Sequence, residues 1–217
     1  MRSGRSNSMA TFIVLLFGIA LFYWGTDGFT AYTAESARVN RLIANRPTFP
    51  ETTFEDSKGR SYSISEFEGK YVFMTFFYST CATVCVQLER NMGLVYDAIP
   101  AGHRGREIEF LSVSFDPDRD DPERLEEYRT FFDSDGETWR MARVPDRNEL
   151  GRLLDEFGVI VIPDESGGFA HNSAFYLVDP RGKLIDVMDY TRPEEAADKI
   201  SRILAQRTGA GKGRGSG

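Results

Sequence analysis

Only two cysteines and two histidines occur in 217 residues, and no acidic residue precedes Asp27. Two cysteines cannot build the multiply bridged scaffold of small secreted domains. Two cysteines with two histidines make a four-ligand structural zinc site only if all four are recruited, His103 included. The chain also lacks a basic stripe or a Lys/Arg-rich aromatic platform, and its formal net charge is -7, so nucleic acid is excluded as a partner. What remains is the composition of an ordinary globular protein, 41% hydrophobic and 27% charged with 17 Phe and 9 Tyr. That length suits one domain with appendages.

The missing N-terminal acids matter because Met9 to Trp24, MATFIVLLFGIALFYW, is uncharged and follows Arg2 and Arg5. A positive flank before an apolar run stays on the cytoplasmic side, so the rest of the chain is expected to be exported. At about 16 residues the run is somewhat short for a span, but Ser8 and Gly25 extend it, and Tyr23 with Trp24 suits the far interface. A retained anchor is favoured over a cleaved leader, because the bulky Tyr23-Trp24 end makes a poor cleavage site. The expected location is a bacterial inner membrane, crossed once, with the soluble domain facing the periplasm.

Export would ordinarily turn two cysteines into a disulfide staple. Cys81 and Cys85 are four positions apart, so a bridge would close a tiny loop and restrain the unfolded chain little. The pair reads instead as a reactive or ligating site.

Along the chain, Tyr32 to Pro50 is polar and mixed, a stalk. Phe54 to Phe67 holds a hairpin around Asp56-Ser57-Lys58-Gly59. Tyr71 to Tyr78 is a continuous aromatic and β-branched run, the pattern of a central strand covered on both faces. Val84, Leu88, Met92, Val95 and Ile99 then recur at helical spacing, which places Cys81 in the turn and Cys85 in the first helical turn. Ile108 to Phe115 is a second strand, and Asp121-Pro122-Glu123 starts a helix carrying Leu125, Tyr128 and Phe132. Trp139 to Val144 is a third strand. Asp146 and Glu149 form a capping box for a helix that Gly158 ends. A Gly-rich loop from Pro163 to Ala170 delivers His171, and strands Ser173 to Val178 and Lys183 to Tyr190 flank the turn Asp179-Pro180-Arg181-Gly182. Thr191 and Glu194 cap a last helix, and a Gly-rich tail follows. The order predicts an α/β fold, a mostly parallel sheet with an antiparallel edge.

Residues i and i+4 at the start of a helix can project both sulfurs to one side, where the backbone amides and the helix dipole favour thiolates. Soft sulfur selects Cu(I), an added imidazole allows Cu(II), and zinc accepts the same donors. Asp116, at the carboxyl end of the second strand, lies where sites in open sheets gather, although turn and cap chemistry explains it more simply. The acidic run from Asp116 to Glu127 reads as a solvated helix face. His103 reads as a solvated loop residue.

Several ordered segments resemble the Sco/SenC family of copper chaperones for cytochrome c oxidase: Glu68-Gly69-Lys70, Tyr78-Ser79-Thr80-Cys81-Ala82-Thr83-Val84-Cys85, Ser114 to Glu123, and His171-Asn172-Ser173 followed by Tyr176 to Gly182. The resemblance covers about Phe49 to Arg207. It implies a thioredoxin-like fold, a mixed sheet with flanking helices, preceded by one N-terminal transmembrane helix. It implies copper, Cu(I) or Cu(II), held by Cys81, Cys85 and His171; Asp116 is a candidate outer partner of these ligands from its strand-end position alone, not from the resemblance. It further implies delivery to the copper centre of cytochrome c oxidase subunit II, or to another exported copper or thiol client. The expected organisation is a cytoplasmic N-terminus (1–8), an anchor (9–25), a stalk (26–48), a thioredoxin-like copper-binding domain (49–207) and a flexible tail (208–217). Three positions depart from the family pattern. Ala82 and Val86 stand where proline usually follows each cysteine, and Ala170 stands where an acid usually precedes the histidine. The alternative is a thiol-disulfide oxidoreductase with Cys81 as nucleophile and Cys85 as resolving thiol. A carrier needs His171 and a redox catalyst does not.

Overall fold

The computed structural model describes residues 4–25, 34–165 and 167–212. The chain divides into two compact units, residues 1–45 and 46–217. In the first, α1 (Gly4–Gly25) carries the run from Met9 to Trp24 with its large apolar side chains exposed. Among the described residues no helix is long and apolar enough to cross a membrane. The apolar stretch reaches about 24 Å at 1.5 Å per residue, short of a hydrocarbon core of about 30 Å. The expected stalk is helical over α2 (Ala34–Asn45), where Glu35 pairs with Arg38 one turn later at 2.5 Å. Its residues 26–33 lie outside the described residues.

The second unit opens with the expected hairpin, β1 (Thr53–Asp56) and β2 (Ser61–Ser63). Asp56 Oδ1 accepts from the amides of Lys58 and Arg60, and Gly59 takes the positive φ of 70° that the turn requires. There follow β3 (Tyr71–Phe77), α3 (Val84–Ala98), β4 (Ile108–Ser114), α4 (Pro122–Thr130), β5 (Trp139–Arg143) and α5 (Arg147–Glu156). A short hairpin of β6 (Val161–Pro163) and β7 (Phe169–His171) comes next, then β8 (Phe175–Val178), β9 (Leu184–Met188) and α6 (Pro193–Lys212). Thus α6 runs past Arg207, where the domain was expected to end, and tail residues 213–217 lie outside the described residues.

Seven strands form one sheet in the order β2-β1-β5-β4-β3-β8-β9. β3, β4 and β5 are parallel, and antiparallel partners close both sides, β1 beside β5 and β8 beside β3. The sheet is therefore less parallel than the element order predicts, because the first hairpin joins the β5 edge by a long-range pairing that local sequence does not encode. β3 and β4 are central and covered on both faces, which is why β3 reads as a nearly continuous apolar run; β4 is equally buried but interleaves Glu109, Ser112 and Ser114. Their carboxyl ends, at Phe77 and Ser114, lie side by side.

Caps place the helices. Asp121 accepts from the Arg124 amide at 2.8 Å with Pro122 in the first turn of α4. Asp146 accepts from the amides of Asn148 and Glu149. The reciprocal half of the expected capping box is absent: the Glu149 carboxylate instead receives the Thr53 amide at 2.7 Å, tying α5 to β1. At the last helix, Thr191 gives its amide and hydroxyl to Asp189.

Candidate metal centre

The cysteines stand where β3 gives way to α3, at the carboxyl end of a central strand. The Cys81 amide bonds the Tyr78 carbonyl at 3.2 Å, closing a turn. The residue ahead of α3 is Thr83, whose side chain makes no cap; the Cys85 amide bonds Cys81 Sγ at 3.3 Å instead. A sulfur thus fills the role an N-cap oxygen usually plays, at the positive end of a 15-residue helix. Both cysteines are unbridged and buried.

Their thiols differ. Burial raises the Cys81 pKa, but hydrogen bonds from the Cys85 side chain and amide and from Thr83 outweigh it and leave the thiol below its ordinary value. Cys85 is pushed far up by burial, reinforced by the neighbouring Cys81 sulfur and the charge of Glu89. His171, half-buried on β7, brings Nε2 to 3.4 Å from Cys85 Sγ. Its Nδ1 lies 3.2 Å from the Asn172 carbonyl and 3.4 Å from Ser173 Oγ. Donation from Nδ1–H to that carbonyl leaves the Nε2 lone pair facing the sulfurs. Burial holds the imidazole below its usual pKa and so keeps it neutral.

The three donor atoms lie within 4.8 Å of one another. Metal–sulfur bonds near 2.3 Å and metal–nitrogen bonds near 2.0 Å span such a triangle. Two soft sulfurs with one imidazole fit copper in either oxidation state. His103 is not part of this group: it bonds Glu107 at 2.8 Å in the turn before β4. The proline-less turn still closes, with Ala82 exposed and Val86 half-buried. Ala170 is exposed and alternates to the opposite face of β7 from His171, so the imidazole takes its orienting contacts from Asn172 and Ser173.

Asp116 is buried, but its carboxylate is engaged by Arg119. Arg119 in turn donates to the Gly167 carbonyl at 2.7 Å and lies over the Phe169 ring. Asp116 therefore reaches the histidine hairpin through Arg119. The acid at the cysteine turn is Asp120, fully buried, which accepts from the Ser79 amide (3.0 Å), Ser79 Oγ (2.5 Å) and Ser114 Oγ (2.5 Å). Arg124 adds a bond to Ser79 Oγ at 2.9 Å. The acidic run is thus divided: Asp116 and Asp120 point inward, while Asp118 and Glu123 are exposed.

Sequence reasoning also passed over Glu89. It sits one helical turn beyond Cys85, fully buried; Oε2 accepts from Ser112 Oγ at 2.8 Å, and Oε1 has no partner among the described residues. Burial pushes its carboxyl up to about 8. The signal was an acid within the apolar stripe of Cys85, Leu88, Met92 and Val95.

A model of the SCO1/SenC family matches residues 44–205, well over half the chain. The SCO1 protein homolog of Bacillus subtilis (strain 168) is 26% identical over 160 residues, covering 72% of this chain and 81% of that protein. Yeast Sco1 with copper bound superposes with a TM-score of 0.62 at 22% identity, covering 73% of this chain and 89% of that one. BsSco, a member of the Sco family of cytochrome c oxidase assembly proteins in which a disulfide switch was identified, superposes with a TM-score of 0.61 at 20% identity, covering 72% and 93%. The shared architecture is the thioredoxin-like one, a central mixed sheet with flanking helices. The chain belongs to the SCO1/SenC family.

Proposed function

We propose that this chain is a membrane-tethered copper metallochaperone that takes one copper ion through Cys81, Cys85 and His171 for assembly of the cytochrome c oxidase copper centre. The observation that carries the reading is the convergence of exactly these three soft and borderline donors within 4.8 Å, from two separate parts of the fold. Copper bound to yeast Sco1, and the membership of BsSco in a family of cytochrome c oxidase assembly proteins, support copper as the cargo and the oxidase as the client. Subunit II of the oxidase is the proposed recipient.

The residues divide the work. The Cys81 sulfur, stabilised as thiolate by the helix amides, is the ready ligand. Cys85 holds its proton in the metal-free state and must release it on loading, so uptake is coupled to proton loss. Neutral His171 offers Nε2 without first losing a proton. Copper itself is cargo, and two thiolates with one imidazole let it be carried as Cu(I) or Cu(II).

The tether rests on α1, whose apolar side chains from Met9 to Trp24 are exposed and follow Arg2 and Arg5. A short run is accommodated by local thinning of the bilayer. The proposed topology is a single pass of the bacterial inner membrane with residues 46–207 in the periplasm. Membrane fractions should contain the full-length chain; a shortened chain starting near Ala37 would contradict this.

One observation favours a second activity. A low-pKa thiol beside a high-pKa one is the division between an attacking and a resolving cysteine, and suits reduction of a client disulfide. Anaerobic copper titration separates the two. One copper per chain is expected, abolished by Cys81→Ser or Cys85→Ser. His171→Ala should weaken Cu(II) much more than Cu(I) and leave thiol chemistry intact. In cells, His171→Ala should impair oxidase assembly in a way that added copper partly relieves. Full oxidase activity in that mutant at limiting copper, beside a dead Cys81→Ser mutant, would replace the chaperone with the oxidoreductase.

A further inference from the structure

His171 comes to the sulfurs on a two-stranded hairpin that pairs with no strand of the seven-stranded sheet. A two-stranded hairpin is marginal by itself, yet a metal ligand must be held within a few tenths of an ångström. Something outside the hairpin has to fix it. The ladder shows which backbone groups are available. The Asp164 amide bonds the Gly168 carbonyl at 2.9 Å, and Pro163 pairs with Phe169 one step along. Antiparallel alternation therefore turns the amide and carbonyl of Phe169 away from β6. Both meet one atom: Tyr78 Oη accepts from the Phe169 amide at 3.2 Å and donates to the Phe169 carbonyl at 3.3 Å.

Tyr78 is buried and directly follows β3, three residues before Cys81. Its ring meets Phe169 edge to face at 5.1 Å and lies 6.1 Å from the imidazole. Phe169 and His171 share one face of β7, and Phe115 packs against both, at 5.6 and 4.9 Å. The approach depends on Gly168, where a β-carbon would stand 3.3 Å from Tyr78 Oη and 2.8 Å from Asp164 Oδ2.

We propose that Tyr78 is the positioning residue of His171: its hydroxyl holds both backbone groups of Phe169 and thereby locks the histidine strand to the segment that carries the cysteines. The proposal rests on the copper reading for its purpose, but its geometry does not require a metal.

Tyr78→Phe retains the ring and deletes only the hydroxyl, so the packing survives. In the full-length chain in detergent, without metal, amide exchange across the peptide 161–172 should accelerate about tenfold, the scale of one net hydrogen bond. The His171 imidazole nitrogen resonances should broaden or split. With Cu(II) as probe, the affinity should fall about tenfold and the nitrogen hyperfine signature should weaken, while Cu(I) affinity changes less than twofold. Unchanged exchange overturns the proposal. So does faster exchange with an unaltered imidazole signal, because the hydroxyl would then hold the strand without positioning the ligand. If the wild type fails to bind Cu(II) at all, the copper reading falls, and the two metal-free measurements still decide the role of Tyr78.

Discussion

The two limbs of the site are built differently. Cys81 and Cys85 stand at the end of a central strand and the start of a helix, both buried, with a fully buried aspartate beneath the turn. His171 is half-buried on a three-residue strand outside the main sheet, held by Tyr78, by Arg119 and by ring packing. Sulfur placement is thus a property of the core, and imidazole placement a property of an attached hairpin. The difference teaches that the sulfurs are placed by the core itself, whereas the third ligand is placed by a few contacts that an attached hairpin makes with it.

If the comparison holds, changes beneath the cysteines should act on the whole domain and changes beneath the histidine only locally. The largest effect is expected at Glu89. Its carboxyl pKa is raised from 4.5 to about 8 in the fold, so the protonated form is the one the fold favours. The stability this contributes is complete below about pH 4.5 and is lost as the pH rises through about 8. A shift of that size corresponds to a change on the order of 5 kcal/mol. Glu89→Gln should flatten the pH dependence of unfolding across that window and leave the variant more stable than wild type at pH 8, as read by urea denaturation. Parallel curves for the two proteins would remove Glu89 from the account.

Asp120→Ala ranks next. It leaves the Ser79 amide and two hydroxyls without their acceptor in a buried site, at a cost of about 3 kcal/mol. A thermal melt, with Cys81 alkylation followed alongside, should show lower stability and altered thiol reactivity together. A normal melting temperature would show that the cysteine turn is not anchored there. The smallest effect belongs to Arg119→Ala. Its partly exposed pairing with Asp116 is worth less than about 1 kcal/mol, so global stability should hold while exchange rises around Gly167. Global destabilisation would contradict the description of the hairpin as an attachment.

The features legible in the sequence were those with local causes. The apolar run of β3, the Asp121-Pro122 start of α4 and the positive-φ turns at Gly59 and Gly182 each follow from neighbouring residues. Cys81 and Cys85 were legible as a site from their spacing, and His171 from a resemblance carried by ordered motifs. What escaped depends on distant partners. Glu149 fits a capping box but bonds Thr53, 96 residues away in the chain. Asp116 and Asp120 are alike in an acidic run, and only the fold shows which lies beneath Ser79. The loop expected before His171 closes as a hairpin whose support comes from Tyr78, which reads in sequence as one more aromatic at the end of a strand.

X-ray absorption at the copper edge of the Cu(I)-loaded full-length chain tests the central claim most directly. Two sulfurs and one nitrogen are expected around copper in the wild type, and two sulfurs without that nitrogen in His171→Ala. A shell unchanged by His171→Ala, or one without two sulfurs in the wild type, would contradict the assignment of Cys81, Cys85 and His171 as the copper ligands.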